Sequence, residues 1–163
     1  MLVPRRPLAL AAAGVLAATL TACGTVTVPS GEFAADPTCA DVVIGAPQEV
    51  LGLARTETSS QGTAAWGSGE DTVVMRCGVT PPGPTTERCT TLEDGDGVRI
   101  DWIVSEIDGG FLYTTYGREP AIDVSVPSSA APDQPSAAAL DLSRVVSANT
   151  VASTYCIGPG DAA

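Results

Sequence analysis

Histidine and lysine are both absent from the 163 residues. Without histidine no Ser-His-Asp or Cys-His machinery can be assembled. No CxxC pair occurs either, so a tetrahedral zinc site would need four scattered thiolates. No metal and no cofactor are expected on these grounds. Aromatic residues make up only 4% of the chain, which limits the core to valine, isoleucine, leucine and alanine with few large rings. Bases are scarce as well: eight arginines face nineteen acids, a net charge of −11. So acidic a surface repels phosphate backbones and anionic headgroups, which excludes nucleic acid as a partner. The charge favours solubility and leaves cations or basic partners open. No internal repeat is visible.

What is present begins with a leader. Arg5 and Arg6 precede "LALAAAGVLAATL" (residues 8–20), an apolar run of signal-peptide length that is short for a bilayer span. It ends in "LTAC", with Cys23 last. An aliphatic residue, two small residues and a cysteine resemble the bacterial lipobox. That resemblance implies diacylglyceryl transfer to Cys23, cleavage before it, and possible acylation of the new N-terminus. Two or three acyl chains anchor firmly where one does so marginally. Residues 1–22 are then signal peptide. Their loss leaves six arginines against nineteen acids, a net charge of −13. Residues 23–36, small, polar and broken by Pro29 and Gly31, read as a flexible tether. Residues 37–158 form a single domain, and residues 159–163 a disordered tail.

Four cysteines remain: Cys39, Cys77, Cys89 and Cys156. An even number in an exported chain reads as two disulfides, with three possible pairings. The proline-rich "TPPGP" (residues 80–84) cannot join a ladder, because three of its residues lack an N–H. A chain reversal there favours Cys77–Cys89, worth about 3 kcal/mol, with Cys39–Cys156 closing the whole domain for about 5 kcal/mol.

Hydrophobic periodicity gives the elements. Asp36 as cap and Pro37 in the first turn start a helix with Cys39, Val42 and Val43 on one face. Residues 49–58 fit a helical turn or a strand equally, and residues 59–71 read as loop. Strands follow at 72–79, 98–107, 111–117 and 121–127. In the second, Ile100, Trp102 and Val104 face one way, and Arg99, Asp101, Ile103 and Ser105 the other. "DGG" (residues 108–110) is a hairpin turn. Residues 136–149 read as one helix with Leu142, Val145 and Val146 buried. The expected fold is α+β: a small antiparallel sheet of three to four strands, with an N-terminal and a C-terminal helix packed on one face and two disulfides.

Chemistry is harder to place. "WGSGE" (residues 66–70) has a superficial likeness to a nucleophile elbow but lacks the GxSxG spacing. "EDGDGVRID" (residues 93–101) crowds carboxylates without the EF-hand pattern and reads as a solvated turn. "TTYGREP" (residues 114–120) puts Tyr116 and Arg118 at a strand end, where a scarce arginine suits a carboxylate or phosphate, although an internal Arg–Glu or Arg–Asp pair is the favoured expectation. Trp66, Tyr116 and Arg118 are the candidate binding residues; no catalytic residue is nominated.

Several segments together resemble one family. "AAWG", "VVMRCGVTPPGPTT", "DW", "YTTYGREPAIDVSVP" and "LDLSRVV", behind a lipobox leader, are similar to the actinobacterial domain of unknown function 3515. The likeness runs from about Cys39 to Cys156. It marks Cys77, Gly78, Pro81, Tyr116, Gly117 and Arg118 as parts of a shared pattern. The resemblance implies a small exported or lipid-anchored protein and carries no catalytic or binding role.

The expected function is that of a cell-envelope lipoprotein on the outer face of the cytoplasmic membrane. It is held by lipid on Cys23 and acts as a non-catalytic binding module for an unknown envelope protein or ligand. The alternative is an envelope hydrolase using paired carboxylates. Mass spectrometry of the mature N-terminus should find Cys23 first in the chain and lipid-modified. An intact Met1, or a bare Cys23 thiol, contradicts the anchor.

Overall fold

The computed structural model describes residues 24–157. Cys23 and its leader, and the expected tail at residues 159–163, lie outside the described residues. Along the chain come α1 (Pro37–Gly45), β1 (Glu49–Val50), β2 (Leu53–Thr56), β3 (Thr63–Trp66), β4 (Val73–Val79), β5 (Cys89–Glu93), β6 (Arg99–Ile107) and β7 (Gly110–Thr115). Then follow β8 (Arg118–Glu119), β9 (Ala121–Pro127), α2 (Ser136–Asp141), α3 (Ser143–Asn149) and β10 (Val151–Ala152).

Helix α1 starts as its sequence demands. The Asp36 carboxylate accepts from the Thr38 amide at 2.8 Å, and Pro37 occupies the first turn. An N-terminal amide is thereby satisfied without a helical partner. The four expected strands are β4, β6, β7 and β9, and they form the middle of the sheet. Their apolar positions meet across the ladder: Met75 and Tyr113 both pair with Val124, and Tyr113 with Val104. Period-two alternation puts these side chains on the face the helices cover. A two-residue turn at Asp108 and Gly109 joins β6 to β7, whose register pairs Ile107 with Gly110.

The class is α+β with antiparallel pairing, but the sheet is larger than expected. Eight strands run in the order β1-β2-β3-β4-β9-β7-β6-β5, and β10 pairs with β8 in a separate small sheet. The extra strands have two to five residues, too few for alternation to register. In β3, "TAAW", all four residues are buried, so no polar face alternates with the apolar one. The C-terminal helix is also two helices, α2 and α3, meeting at the buried Leu142. At that junction the Ser143 hydroxyl donates to the Ala139 carbonyl at 3.2 Å, a back-bond that bends helices.

Helix α1 packs on α3 and β4, and α3 on β6. Trp66, Trp102, Met75, Ile100, Ile122 and Leu142 are fully buried in the resulting core. Trp102 stands edge-on to Tyr113, with ring centroids 6.3 Å apart. Burial pushes the Tyr113 phenol above its ordinary value, with Arg88 opposing.

Residues 24–36, expected as a tether, instead form a strap on the domain. Val26 bridges Thr58 and its amide donates to the Glu57 carbonyl at 2.8 Å. Val28 is buried, and its carbonyl accepts from Ser60 Oγ at 2.6 Å. The Phe33 amide donates to the Gly78 carbonyl at 2.7 Å. Gly78 sits at a bulge in β4 with φ +76°, and a Cβ there would stand 2.4 Å from the Phe33 carbonyl carbon. Gly31 is equally close, its Cβ position 2.5 Å from the Gly78 oxygen. Gly31, which suggested flexibility, and Gly78 are what let two backbones touch.

The cysteine pairing is also corrected. Cys39 bonds Cys77, and Cys89 bonds Cys156. The bend after β4 does not return the chain alongside it. β5 is the far edge of the sheet, with β9, β7 and β6 between. At about 4.8 Å per strand, Cys77 and Cys89 are separated by roughly 19 Å, far beyond disulfide reach.

Gly78→Ala should force the strap off β4 and adds a left-handed alanine. A loss of about 2–4 kcal/mol in denaturant unfolding is expected. The Phe33 amide should lose protection from hydrogen exchange. Unchanged protection at Phe33 contradicts the backbone contact.

Candidate functional site

The shared-pattern residues Tyr116, Gly117 and Arg118 leave β7 at a turn. The Tyr116 amide donates to the Asp101 carbonyl at 2.8 Å, which holds the turn against β6. Gly117 has φ +65°, and a Cβ there would lie 2.0 Å from the Thr154 oxygen. The C-terminal segment after α3 packs directly on this glycine, and the Ser153 amide donates to its carbonyl at 2.7 Å. Just before, β10 pairs Ala152 with Arg118 and Val151 with Glu119. Just after, Cys156 is bonded to Cys89 on the edge strand β5.

These contacts stretch residues 151–156 across the open face of β5 and β6. Beneath them lies a cavity of about 290 Å³, lined by Thr91, Asp101, Tyr116, Arg118, Tyr155 and Cys156, among others. Tyr155 is exposed at its rim. Asp101 is 8% exposed and fixes the wall on both sides. Its Oδ1 accepts from Thr91 Oγ1 at 2.5 Å, and its Oδ2 from the Cys156 amide at 2.9 Å.

Arg118 is the second buried charge of the cavity, also 8% exposed. Its Nη1 donates to the carbonyl and the hydroxyl of Thr150, each at 3.1 Å. Nη2 reaches the Arg99 carbonyl only at 3.5 Å, and among the described residues Nε has no hydrogen-bond partner. No carboxylate of the described residues lies within 4.0 Å of it. Burial pushes this guanidinium below the ordinary arginine value; Tyr155 and Asp101 partly offset the loss of water.

Arg76 shows what internal pairing looks like in the same sheet. It stands opposite Asp123 in register, donating Nε to Oδ1 at 2.9 Å and Nη2 to Oδ2. Asp123 accordingly raises the Arg76 pKa. Arg118 has no such acid, so the internal Arg–Glu or Arg–Asp pair weighed from sequence is not formed.

Of the three candidate residues, two meet at this cavity and one does not. Trp66 is fully buried in β3, its Nε1 donating to the Pro47 carbonyl at 2.9 Å. It is a core residue and offers no surface to a ligand. Cys23 lies outside the described residues. The carboxylate-rich turn is accounted for locally: Asp94 Oδ1 accepts from the amides of Asp96 and Val98, each at 2.9 Å, and Asp96 pairs with Arg144. Sequence reasoning missed Asp101, Thr91, Thr150 and Tyr155 as site residues. Asp101 alone carried a signal, an acid between the apolar Ile100 and Trp102.

A family model described as a protein of unknown function (DUF3515) matches residues 7–154. The chain belongs to that family. No curated protein and no solved structure matches it. The segments that carried the resemblance to DUF3515 have physical roles here. Cys77 and Gly78 seat the N-terminal strap, while Gly117 and Arg118 seat the C-terminal one, and Arg118 faces the cavity.

Replacing Cys89 and Cys156 by serine should free residues 153–157 and leave β6 and β7 paired. The bond spans 67 residues, so a loss of about 4 kcal/mol is expected. Hydrogen exchange should accelerate at Ser153 and Cys156 but not at Leu112, which pairs with Ser105 between β7 and β6. Equal acceleration at all three contradicts a wall held locally by this bond.

Proposed function

We propose that this DUF3515 protein is a lipid-anchored, non-catalytic binding module of the cell envelope, and that its ligand presents an anionic group to Arg118. The observation that carries the reading is the unpaired burial of that guanidinium. Desolvating a charge costs several kcal/mol unless a counter-charge offsets it. Arg76 has its counter-charge in Asp123; Arg118 faces a cavity instead. A residue kept charged, buried and open on its Nε side is suited to an anion brought from outside.

The hydrolase reading is weaker. Glycoside hydrolysis of the usual kind needs two carboxylates flanking one bond. The cavity presents one, Asp101, and both its oxygens already accept hydrogen bonds. A second cleft of about 420 Å³ contains Asp36 and Glu119, but the Asp36 carboxylate caps α1.

The export reading supplies the location. Paired cysteines fit an oxidising compartment, and the lipobox resemblance places lipid on Cys23, directly before the docked strap. On this reading the domain stays close to the membrane, since residues 26–34 are held to the fold.

Two substitutions separate a ligand-binding arginine from a structural one. Arg76→Met should cost about 3–5 kcal/mol, because it strands Asp123 as a buried charge. Arg118→Met should cost only about 1–2 kcal/mol, from the two hydrogen bonds to Thr150, and should abolish stabilisation by added acetate. Denaturant unfolding with and without acetate measures both. Equal losses for the two variants, or acetate stabilisation that survives Arg118→Met, contradict the reading.

A further inference from the structure

Two buried charges of opposite sign line one small cavity without touching. Arg118 and Asp101 are each 8% exposed, and the nearest approach of their charged atoms exceeds 4.0 Å. A sheet that wanted only an internal ion pair would close that gap, as Arg76 and Asp123 do on neighbouring strands.

We propose that the cavity binds a small zwitterion of amino-acid size, its carboxylate on Arg118 and its ammonium on Asp101. This rests on the anion-binding reading above and deepens it.

The hydrogen-bond inventory fits both ends. With Nη1 committed to Thr150, the Nε and Nη2 edge of Arg118 is the open one. That edge presents two parallel N–H groups, the fork that a planar carboxylate accepts side-on. Asp101 accepts one bond on each oxygen, and a carboxylate has about four lone-pair sites. One acceptor position per oxygen therefore remains for an ammonium. The Thr91 hydroxyl and the Cys156 amide hold the carboxylate in place, so little ordering is left for the ligand to impose.

Charge argues against phosphate as the occupant. A dianion on Arg118 would share a small, poorly solvated volume with the Asp101 carboxylate, inside a protein whose net charge is −11. A zwitterion adds no net charge and neutralises both walls at once. Size agrees. At about 290 Å³ the cavity lies at the lower limit of the roughly 300–1,000 Å³ typical of small-molecule sites. The cavity is partly open to solvent, with Tyr155 exposed at its rim. A ligand can thus enter without the strap lifting.

The test is a titration of the full chain in detergent, followed by two-dimensional NMR at the Arg118 Nε–H and the amides of Tyr116 and Cys156. Four compounds suffice: alanine (tested as each enantiomer), N-acetylalanine, alaninamide and inorganic phosphate. At least one alanine enantiomer should bind at least about tenfold tighter than N-acetylalanine and alaninamide, since each of these lacks one charge-assisted contact. Arg118→Met should abolish the shifts. N-acetylalanine binding as tightly as alanine, or phosphate binding more tightly, overturns the zwitterion while leaving an anion site at Arg118. If none of the four shifts these signals, the zwitterion and the anion-binding reading fall together.

Discussion

Both ends of the described chain are held by backbone lying on backbone at a glycine. At Gly78 the space of a missing Cβ is filled by Phe33, and at Gly117 by Thr154. In each place a disulfide closes the arrangement a few residues away: Cys39–Cys77 beside the first seat, Cys89–Cys156 beside the second. Amide-to-carbonyl bonds alone contribute little net stability when water competes for the same groups. The cross-links supply what such short contacts lack by limiting how far either segment can stray in the unfolded chain. A domain with few aromatic side chains has reason to lean on this device, because its core is modest for its size.

The second seat creates the cavity. Lay residues 151–156 over β5 and β6, and the polar face of those strands becomes an enclosed wall. Asp101 and Arg118 then lose water without gaining each other. Electrostatics turns that into a functional statement. Arg76 and Asp123 meet as a structural pair, the acid buried and the base half-buried; on the proposed reading Asp101 and Arg118, kept apart across a hollow, are left for a ligand to bridge. The wall and the site are thus one construction, and the disulfide that stabilises the domain also shapes the pocket.

Long strands and the first helix were legible in the sequence because burial on one side writes a period into it. Ile100, Trp102 and Val104 in β6, and Ile122, Val124 and Val126 in β9, recur at every second residue, and Asp36-Pro37 marks the start of α1. Short strands write no period: β1, β8 and β10 have two residues each. β3 is buried on both faces, so its threonine and alanines gave no polar counterpoint to Trp66, and the tryptophan looked available when it was enclosed. Cysteine pairing was misread for a related reason. Closeness in sequence suggested closeness in space, but strand order set the distance, and strand order depends on non-local pairings that no local pattern encodes. Tyr116 and Arg118, which both line the cavity, stood out in the sequence because a rare arginine at a strand end is conspicuous. Asp101, on the same cavity, was hidden in a strand, and Tyr155 reaches it only through the C-terminal segment.

The latching of both chain ends is most directly tested by peptide mapping of the unreduced protein. The account predicts one fragment joining Cys39 to Cys77 and another joining Cys89 to Cys156. A fragment joining Cys77 to Cys89 contradicts it, because the sheet order then cannot stand and the cavity under the C-terminal segment loses its wall.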